Sequence, residues 1–138
     1  MPGDVDETYA AALRHGLFDS GSATLVGVVR RPTSWFRAAV HENVPALGPP
    51  ADLLDEVQAR EEALKMQGVC ESGAHNAAFE EADFEARYRE HLSSGAAADA
   101  VADLRARLDD GEDLVLVCYE NTDDKRCHRT TLADVLEG

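Results

Sequence analysis

The chain has 138 residues, enough for one domain built around a single hydrophobic core. It carries 27 acidic and 13 basic residues, a net charge of −14, which argues against nucleic acid or an anionic membrane as a partner. Only Lys65 and Lys125 are lysines. An acid-rich, lysine-poor composition is typical of halophile proteins, because molar salt shortens the Debye length to about 3 Å and screens self-repulsion. An ordinary acidic mesophile protein is the alternative.

Membrane and export signals are missing from the sequence. No apolar stretch is long enough to span a bilayer, and residues 1–7 lack the basic and then apolar pattern of a signal peptide. The three cysteines make an odd number and show no regular disulfide framework. We therefore expect a cytoplasmic, reduced protein with no membrane partner.

The first half of the chain shows one ambiguous segment and one clear strand. The apolar side chains of residues 7–17 recur at helical spacing, which favours a helix, although a strand around Tyr9 also fits. In residues 24–29, apolar or β-branched side chains occupy both the odd and the even positions. This pattern predicts a strand that is buried on both faces, as in a parallel sheet. Pro32 ends the ladder.

Three helices are predicted in the middle of the chain. The first runs from Asp52 to Met66, the second from about Phe79 to Leu92, and the third from about Ala96 to Leu108. We assign His75 to a solvated loop between the first two, with a loop that reaches the ligand site as the alternative.

The most informative segment lies near the C-terminus. An apolar strand over 113–119 leads into a polar loop and then into a last amphipathic helix. The polar side chains at this strand-to-helix crossover are Cys118, Glu120, Cys127, His128 and Arg129.

Several segments carry a family resemblance. In chain order they are Thr8-Tyr9, residues 25–30 with Pro32 and Trp35, Leu47-Gly48-Pro49-Pro50, Arg87-Tyr88-Arg89, and residues 116–120 with Cys127-His128-Arg129. In these, the chain resembles the domain of unknown function 488 (DUF) family and, by its acidity, a halophilic-archaeal type. The resemblance implies a strand near Tyr9. It also implies a single α/β domain over residues 1–138, with a small, mostly parallel sheet flanked by helices. It implies no agreed activity.

A ligand site is expected at the carboxyl ends of the strands, where ligands collect in open α/β sheets. Arg30 and Arg31 leave one strand at that end, and Cys118 leaves another. His128 and Arg129 begin a helix, so they should face the sheet edge and attract anions. The first hypothesis is therefore a thiol or acid–base enzyme acting on a small anionic ligand, with no cofactor.

Each candidate residue has a role and a structural alternative. The catalytic candidates are Cys118 as nucleophile, with Glu120 and His128 moving protons. The binding candidates are Arg30, Arg31, Trp35, Cys127 and Arg129. Alternatively, Cys118 is a small core residue, Glu120 an ion-pair partner of an arginine, and His128 a hydrogen-bonded core histidine.

Two other readings remain open. A non-enzymatic nucleotide or nucleic-acid binding module would stack a base on Trp35 or Phe36 beside the arginine pair, unless both rings are core. A zinc site would combine Cys118, Cys127 and His128 with Cys70 or His75 as the fourth ligand. The spacing of these residues is not that of a zinc finger, so we predict no metal. The sequence does not specify the ligand, turnover or oligomeric state.

Overall fold

The computed structural model describes residues 3–16, 21–118 and 128–137. In these residues a four-stranded sheet has the order β1-β4-β2-β3, and all its neighbouring strands run parallel. The strands are Val5–Tyr9 (β1), Thr24–Gly27 (β2), Glu42–Asn43 (β3) and Leu114–Cys118 (β4). The predicted α/β fold with a small parallel sheet is confirmed.

The interior strand β4 organises the sheet. It pairs with β1 from Val5↔Leu114 to Tyr9↔Cys118, and with β2 from Thr24↔Leu114 onward. All of its residues are buried. A parallel strand covered on both faces needs a continuous apolar run, which is why its sequence, LVLVC, shows no alternation.

Helices surround the sheet and supply most of the core. Those in the described residues are Ala10–Arg14 (α1), Ser34–Ala39 (α2), Ala51–Met66 (α3), Glu71–Glu81 (α4), Phe84–Leu92 (α5), Gly95–Asp109 (α6) and His128–Glu137 (α7). Helix α3 contacts α4, and α7 contacts α5, β1 and β4. No helix in the described ranges has both the length and the apolar character needed to cross a membrane.

The single helix predicted from Phe79 to Leu92 is wrong. Helix α4 ends at Glu81 and α5 begins at Phe84. Asp83 between them has φ 55°, in the left-handed region that interrupts a right-handed helix. The regular spacing of the apolar residues after Asp83 therefore describes α5 alone. The loop assignment of His75 is also wrong, because His75 lies inside α4.

The ambiguous N-terminal segment contains both predicted elements. Strand β1 ends at Tyr9, as the family resemblance implies, and helix α1 begins at Ala10. The next predicted strand, residues 24–29, is slightly shorter in the structure because β2 ends at Gly27. Even so, the N–H of Val28 still donates to the carbonyl oxygen of Val117 at 3.0 Å.

Tyr88 ties the helical layer to the turn that precedes α3. Its side chain is fully buried, and its hydroxyl donates to the carbonyl oxygen of Leu47, at the end of a short 3₁₀ helix. Burial raises the pKa of Tyr88 well above its usual range, so the phenol stays neutral and remains a donor. This bond holds the segment containing Gly48 and Pro49 in place.

Removing this hydroxyl tests the tie. Tyr88→Phe keeps the ring but leaves the Leu47 carbonyl without that donor, so we expect the free energy of unfolding to fall by about 1–2 kcal/mol. Urea unfolding measures the change. Trp35→Phe, at an exposed ring, is the control and should stay within about 0.5 kcal/mol of wild type. An unchanged Tyr88→Phe protein would show that the bond adds no stability.

Candidate ligand pocket

A cavity of about 250 Å³ lies at the carboxyl ends of β2 and β4. The segment after β2, the end of β4 and the start of α7 form one side, and α3, α4 and α5 form the other. The side chains that give the cavity its polar character are Arg30, Arg31, Cys118 and His128 on the strand side, and Gln58, Glu61 and His75 on the helix side.

Arg30 is positioned by backbone carbonyl groups. Its Nε donates to the oxygen of Pro49 at 2.5 Å, and its Nη2 donates to the oxygen of Gly48 at 3.2 Å. Gly48 is required here, because a Cβ at this position would lie 2.5 Å from the backbone nitrogen of Arg30. Both acceptors are neutral, so these bonds orient the guanidinium without neutralising its charge.

Arg31 lies at the mouth of the cavity. Its side chain is 59% exposed, and its Nη1 is 3.7 Å from a carboxylate oxygen of Asp55 on α3. An exposed ion pair of this kind contributes little to stability. Arg31 can therefore exchange Asp55 for another anion at small cost.

His128 closes the strand side of the cavity from the first turn of α7. Its Nε2 lies 2.6 Å from the carbonyl oxygen of Val28, and its ring meets the Tyr88 ring edge-on at 5.4 Å. Since a carbonyl only accepts, Nε2 carries the proton and Nδ1 the lone pair. Burial lowers the pKa of His128 to about 4; the bond to Val28 opposes this, and the charge of Arg129 adds to it. The imidazole is neutral at pH 7.

Arg129 points away from the cavity, since neighbouring helix residues are turned about 100° from each other. It is 1% exposed and lies under β1. Its Nη1 donates to Cys118 Sγ at 2.6 Å, its Nε is 3.5 Å from a carboxylate oxygen of Glu7, and its guanidinium lies 5.9 Å from the Tyr9 ring centroid. It therefore holds α7 against the sheet and contacts the cavity lining at Cys118.

Cys118 is buried at the end of β4 and lines the cavity. The expectation of a fully reduced protein is not met, because Cys118 is disulfide-bonded, whereas Cys70 is free and exposed. Sequence spacing alone does not show which cysteines come close enough to pair. The nucleophilic role predicted for Cys118 consequently concerns the reduced protein.

The remaining predicted site residues lie elsewhere or outside the described chain. Trp35 is 43% exposed and lines a separate shallow depression beside Leu13, while Phe36 is core. Glu120 and Cys127 lie outside the described residues, so their predicted roles stay predictions. The same holds for the zinc alternative, which includes Cys127. Among the described residues, no group of three or more His, Cys, Asp or Glu could hold a metal ion.

On the helix side of the cavity, the sequence suggested only His75, and as part of a loop. His75 is buried, and its Nδ1 lies 3.6 Å from a carboxylate oxygen of Glu61. The helical spacing of the residues in α3 could have indicated that Glu61 faces the cavity. The residues of α3 that line the cavity are Leu54, Val57, Gln58 and Glu61, which follow the i, i+3, i+4, i+7 pattern of one helix face.

The buried imidazole makes folding stability depend on pH. The unfolded chain takes up a proton on His128 as the pH falls through about 6.5, whereas the folded chain resists until about pH 4. The stability that neutral His128 provides is thus fully present above pH 6.5 or so and is lost as the pH falls towards 4.

Replacing this imidazole should flatten the pH dependence. His128→Gln keeps an N–H donor for Val28 but does not titrate, so between pH 7 and 5 it should lose about 2 kcal/mol less stability than wild type. Urea unfolding at several pH values measures the slopes. His15→Gln, at an exposed histidine, is the matched control. Parallel slopes for wild type and His128→Gln would contradict the prediction.

Comparison with known proteins adds a family. The chain matches, over residues 18–138, the family model described as "Active DUF488-N3 subclade". No curated protein and no solved structure matches the chain. The matched range includes every residue named above as lining the cavity. Because the match covers most of the chain, this protein belongs to the DUF488 family of uncharacterised proteins.

Proposed function

We propose that the cavity binds a small anionic ligand at the carboxyl ends of β2 and β4. The observation that carries the proposal is that Arg30 and Arg31 line one cavity together with Cys118 and His128. Adjacent arginines at one opening contrast with the rest of a chain whose net charge is −14. Guanidinium groups suit carboxylate and phosphate, because their planar N–H donors match the spacing of two oxygens.

The two arginines have complementary parts in this proposal. Two neutral carbonyl groups accept from two of the five N–H donors of Arg30. They fix the orientation of the guanidinium group and leave its positive charge uncompensated. Arg31 is exposed at the mouth and loosely paired, which suits a first contact with an incoming anion. The anion would first contact Arg31 at the mouth and would then bind Arg30 inside the cavity.

The size of the cavity favours a small molecule over a nucleotide. A volume of about 250 Å³ falls below the roughly 300–1,000 Å³ typical of pockets for drug-sized ligands. Trp35, the residue that would stack a base in the nucleic-acid alternative, lines a separate depression. A carboxylate or phosphate compound of about ten heavy atoms or fewer fits the proposal better.

Anion binding can be measured by calorimetric titration with inorganic phosphate, pentanoate and AMP. We expect pentanoate or phosphate to bind to wild type, Arg31→Gln to weaken binding several-fold, and Arg30→Gln to weaken it more than tenfold, because each loses a charge-assisted hydrogen bond. Arg37→Gln, at an exposed arginine outside this cavity, is the matched control.

Two outcomes would contradict the small-anion proposal. One is that wild type binds none of these probes. The other is that AMP binds much more tightly than phosphate or pentanoate, which would favour the nucleotide alternative. Titration in about 0.1 M and about 2 M KCl separates specific binding from general charge attraction.

We also propose that the protein works in the cytoplasm of a salt-accumulating organism. The excess of 27 acidic over 13 basic residues supports this setting, because only concentrated salt makes such self-repulsion inexpensive. A cytoplasm also keeps most thiols reduced, which bears on the state of Cys118.

In the reduced protein, we propose that Cys118 is a reactive thiol that faces the bound anion. The guanidinium of Arg129 lies 2.6 Å from its sulfur, and a fixed cation at this distance favours thiolate over thiol. His128 lines the same cavity, and its imidazole is neutral. These contacts support a nucleophilic Cys118.

Alkylation tests this role. After reduction with dithiothreitol, we expect iodoacetamide to modify Cys118 at about pH 6–7, where an ordinary thiol is mostly protonated. Peptide mass spectrometry follows each cysteine separately, with exposed Cys70 as the internal reference. Phosphate or pentanoate should protect Cys118 and leave Cys70 unaffected. If Cys118 reacts more slowly than Cys70 throughout this range, the thiolate proposal is wrong.

A further inference from the structure

We propose that Glu61 and His75 form a second subsite of the cavity that binds an ammonium group, so that the ligand is a small zwitterion. The proposal deepens the anion-binding function and rests on it. The arginine pair would hold the anionic end, and the α3–α4 side would hold the cationic end. The class of ligand is then an ω-amino acid or a phosphorylated amine with an aliphatic chain.

Glu61 and His75 are placed to bind a ligand because they are sheltered and face the cavity. Their side chains are 17% and 6% exposed, and Glu61 Oε2 lies 3.6 Å from His75 Nδ1. A carboxylate in partial shelter attracts a cation more strongly than one in bulk water, since the local dielectric constant is lower. Carboxylate oxygens accept hydrogen bonds from the N–H groups of an ammonium, and the His75 imidazole lies beside the Glu61 carboxylate.

A cation already lies beside Glu61. The Nζ of Lys65 is 3.4 Å from Glu61 Oε1, one helical turn further along α3. This shows that the carboxylate accepts an ammonium at its outer oxygen. The pair is of the i,i+4 type and partly exposed, and such pairs are weak, so a ligand can displace Lys65 at little cost.

The spacing of the two ends sets the length of the ligand. Arg31 pairs with Asp55, which precedes Glu61 by six residues on α3, about 9 Å along the helix axis. An ion contact at each end takes up part of this distance. The charged groups of the ligand should therefore be separated by a chain of about four to six carbon atoms.

The cavity wall between the two ends is mostly apolar. On α3, Val57 and Gln58 line the cavity between the levels of Asp55 and Glu61, and Leu54 lines it one residue before Asp55. The aromatic lining is already engaged, because the Phe79 ring lies 4.5 Å from the His75 ring and 4.1 Å from the Phe84 ring. A flat base would have to compete with these ring contacts, whereas an aliphatic chain needs only the apolar wall.

A matched pair of compounds tests the subsite. Pentanoate and 5-aminopentanoate share the carboxylate and the chain, and differ by the ammonium. In calorimetric titrations we expect wild type to bind 5-aminopentanoate at least tenfold more tightly. Glu61→Gln should abolish this preference without weakening pentanoate binding, because the variant removes a carboxylate that repels the bound anion. Glu62→Gln, at an exposed neighbour that does not line the cavity, should behave as wild type.

A second variant addresses the competing cation. Lys65→Met removes the ammonium that occupies Glu61, so the affinity for 5-aminopentanoate should rise several-fold while that for pentanoate stays the same. This readout separates a binding role of Glu61 from a merely structural one. It also keeps the proposal testable if Glu61→Gln fails to fold, as judged by its thermal melt.

The outcomes distinguish the two proposals. Equal binding of both compounds by wild type would overturn the zwitterion subsite and leave the anion site standing. An unchanged preference in Glu61→Gln, or an unchanged 5-aminopentanoate affinity in Lys65→Met, would also overturn the subsite. If neither compound binds and phosphate also fails to bind, the anion site itself is wrong.

Discussion

The hydrogen bond between the His128 imidazole and the Val28 carbonyl is the constraint on which the pocket depends. It joins residues 100 positions apart and fixes the first turn of α7 to the end of β2. Arg129, the next residue, anchors the same turn to β4 through Cys118 and to β1 through Glu7. One helical turn thus touches three strands. Without it, the carboxyl ends of β2 and β4 would have no common wall, and the arginines after β2 would face open solvent.

The anchoring of α7 places a buried positive charge inside a protein whose net charge is negative. The chain is strongly acidic overall, yet the guanidinium of Arg129 is 1% exposed, and the adjacent imidazole is kept neutral. A guanidinium keeps its proton in proteins, and the carboxylate of Glu7 compensates part of the charge of Arg129. His128 gives up its proton because burial penalises the charged form.

Sequence reasoning located the strand side of the pocket because its signals are local. A continuous apolar run predicts β4, another predicts β2, and parallel strands bring the residues after them, Arg30 among these, to one edge. The helix side depends on tertiary packing that no local pattern shows. His75 was assigned to a loop because α4 has no clear apolar stripe in its sequence, and the left-handed Asp83 that separates α4 from α5 has no strong sequence signature. The disulfide of Cys118 was not predicted, because sequence spacing alone does not show which cysteines come close enough to pair.

The position of β4 also has a consequence for biosynthesis. Strand β1 borders β4 alone, across a separation of about 109 residues, and β2 finds its longer ladder there as well. A chain emerging from the ribosome therefore exposes β1 without its partner strand, and one edge of β2, until β4 has been synthesised. The acidic side chains of Asp6 and Glu7 disfavour the pairing of exposed β1 with a strand of another chain. Nascent copies are in this way protected from aggregation by charge before they are protected by structure.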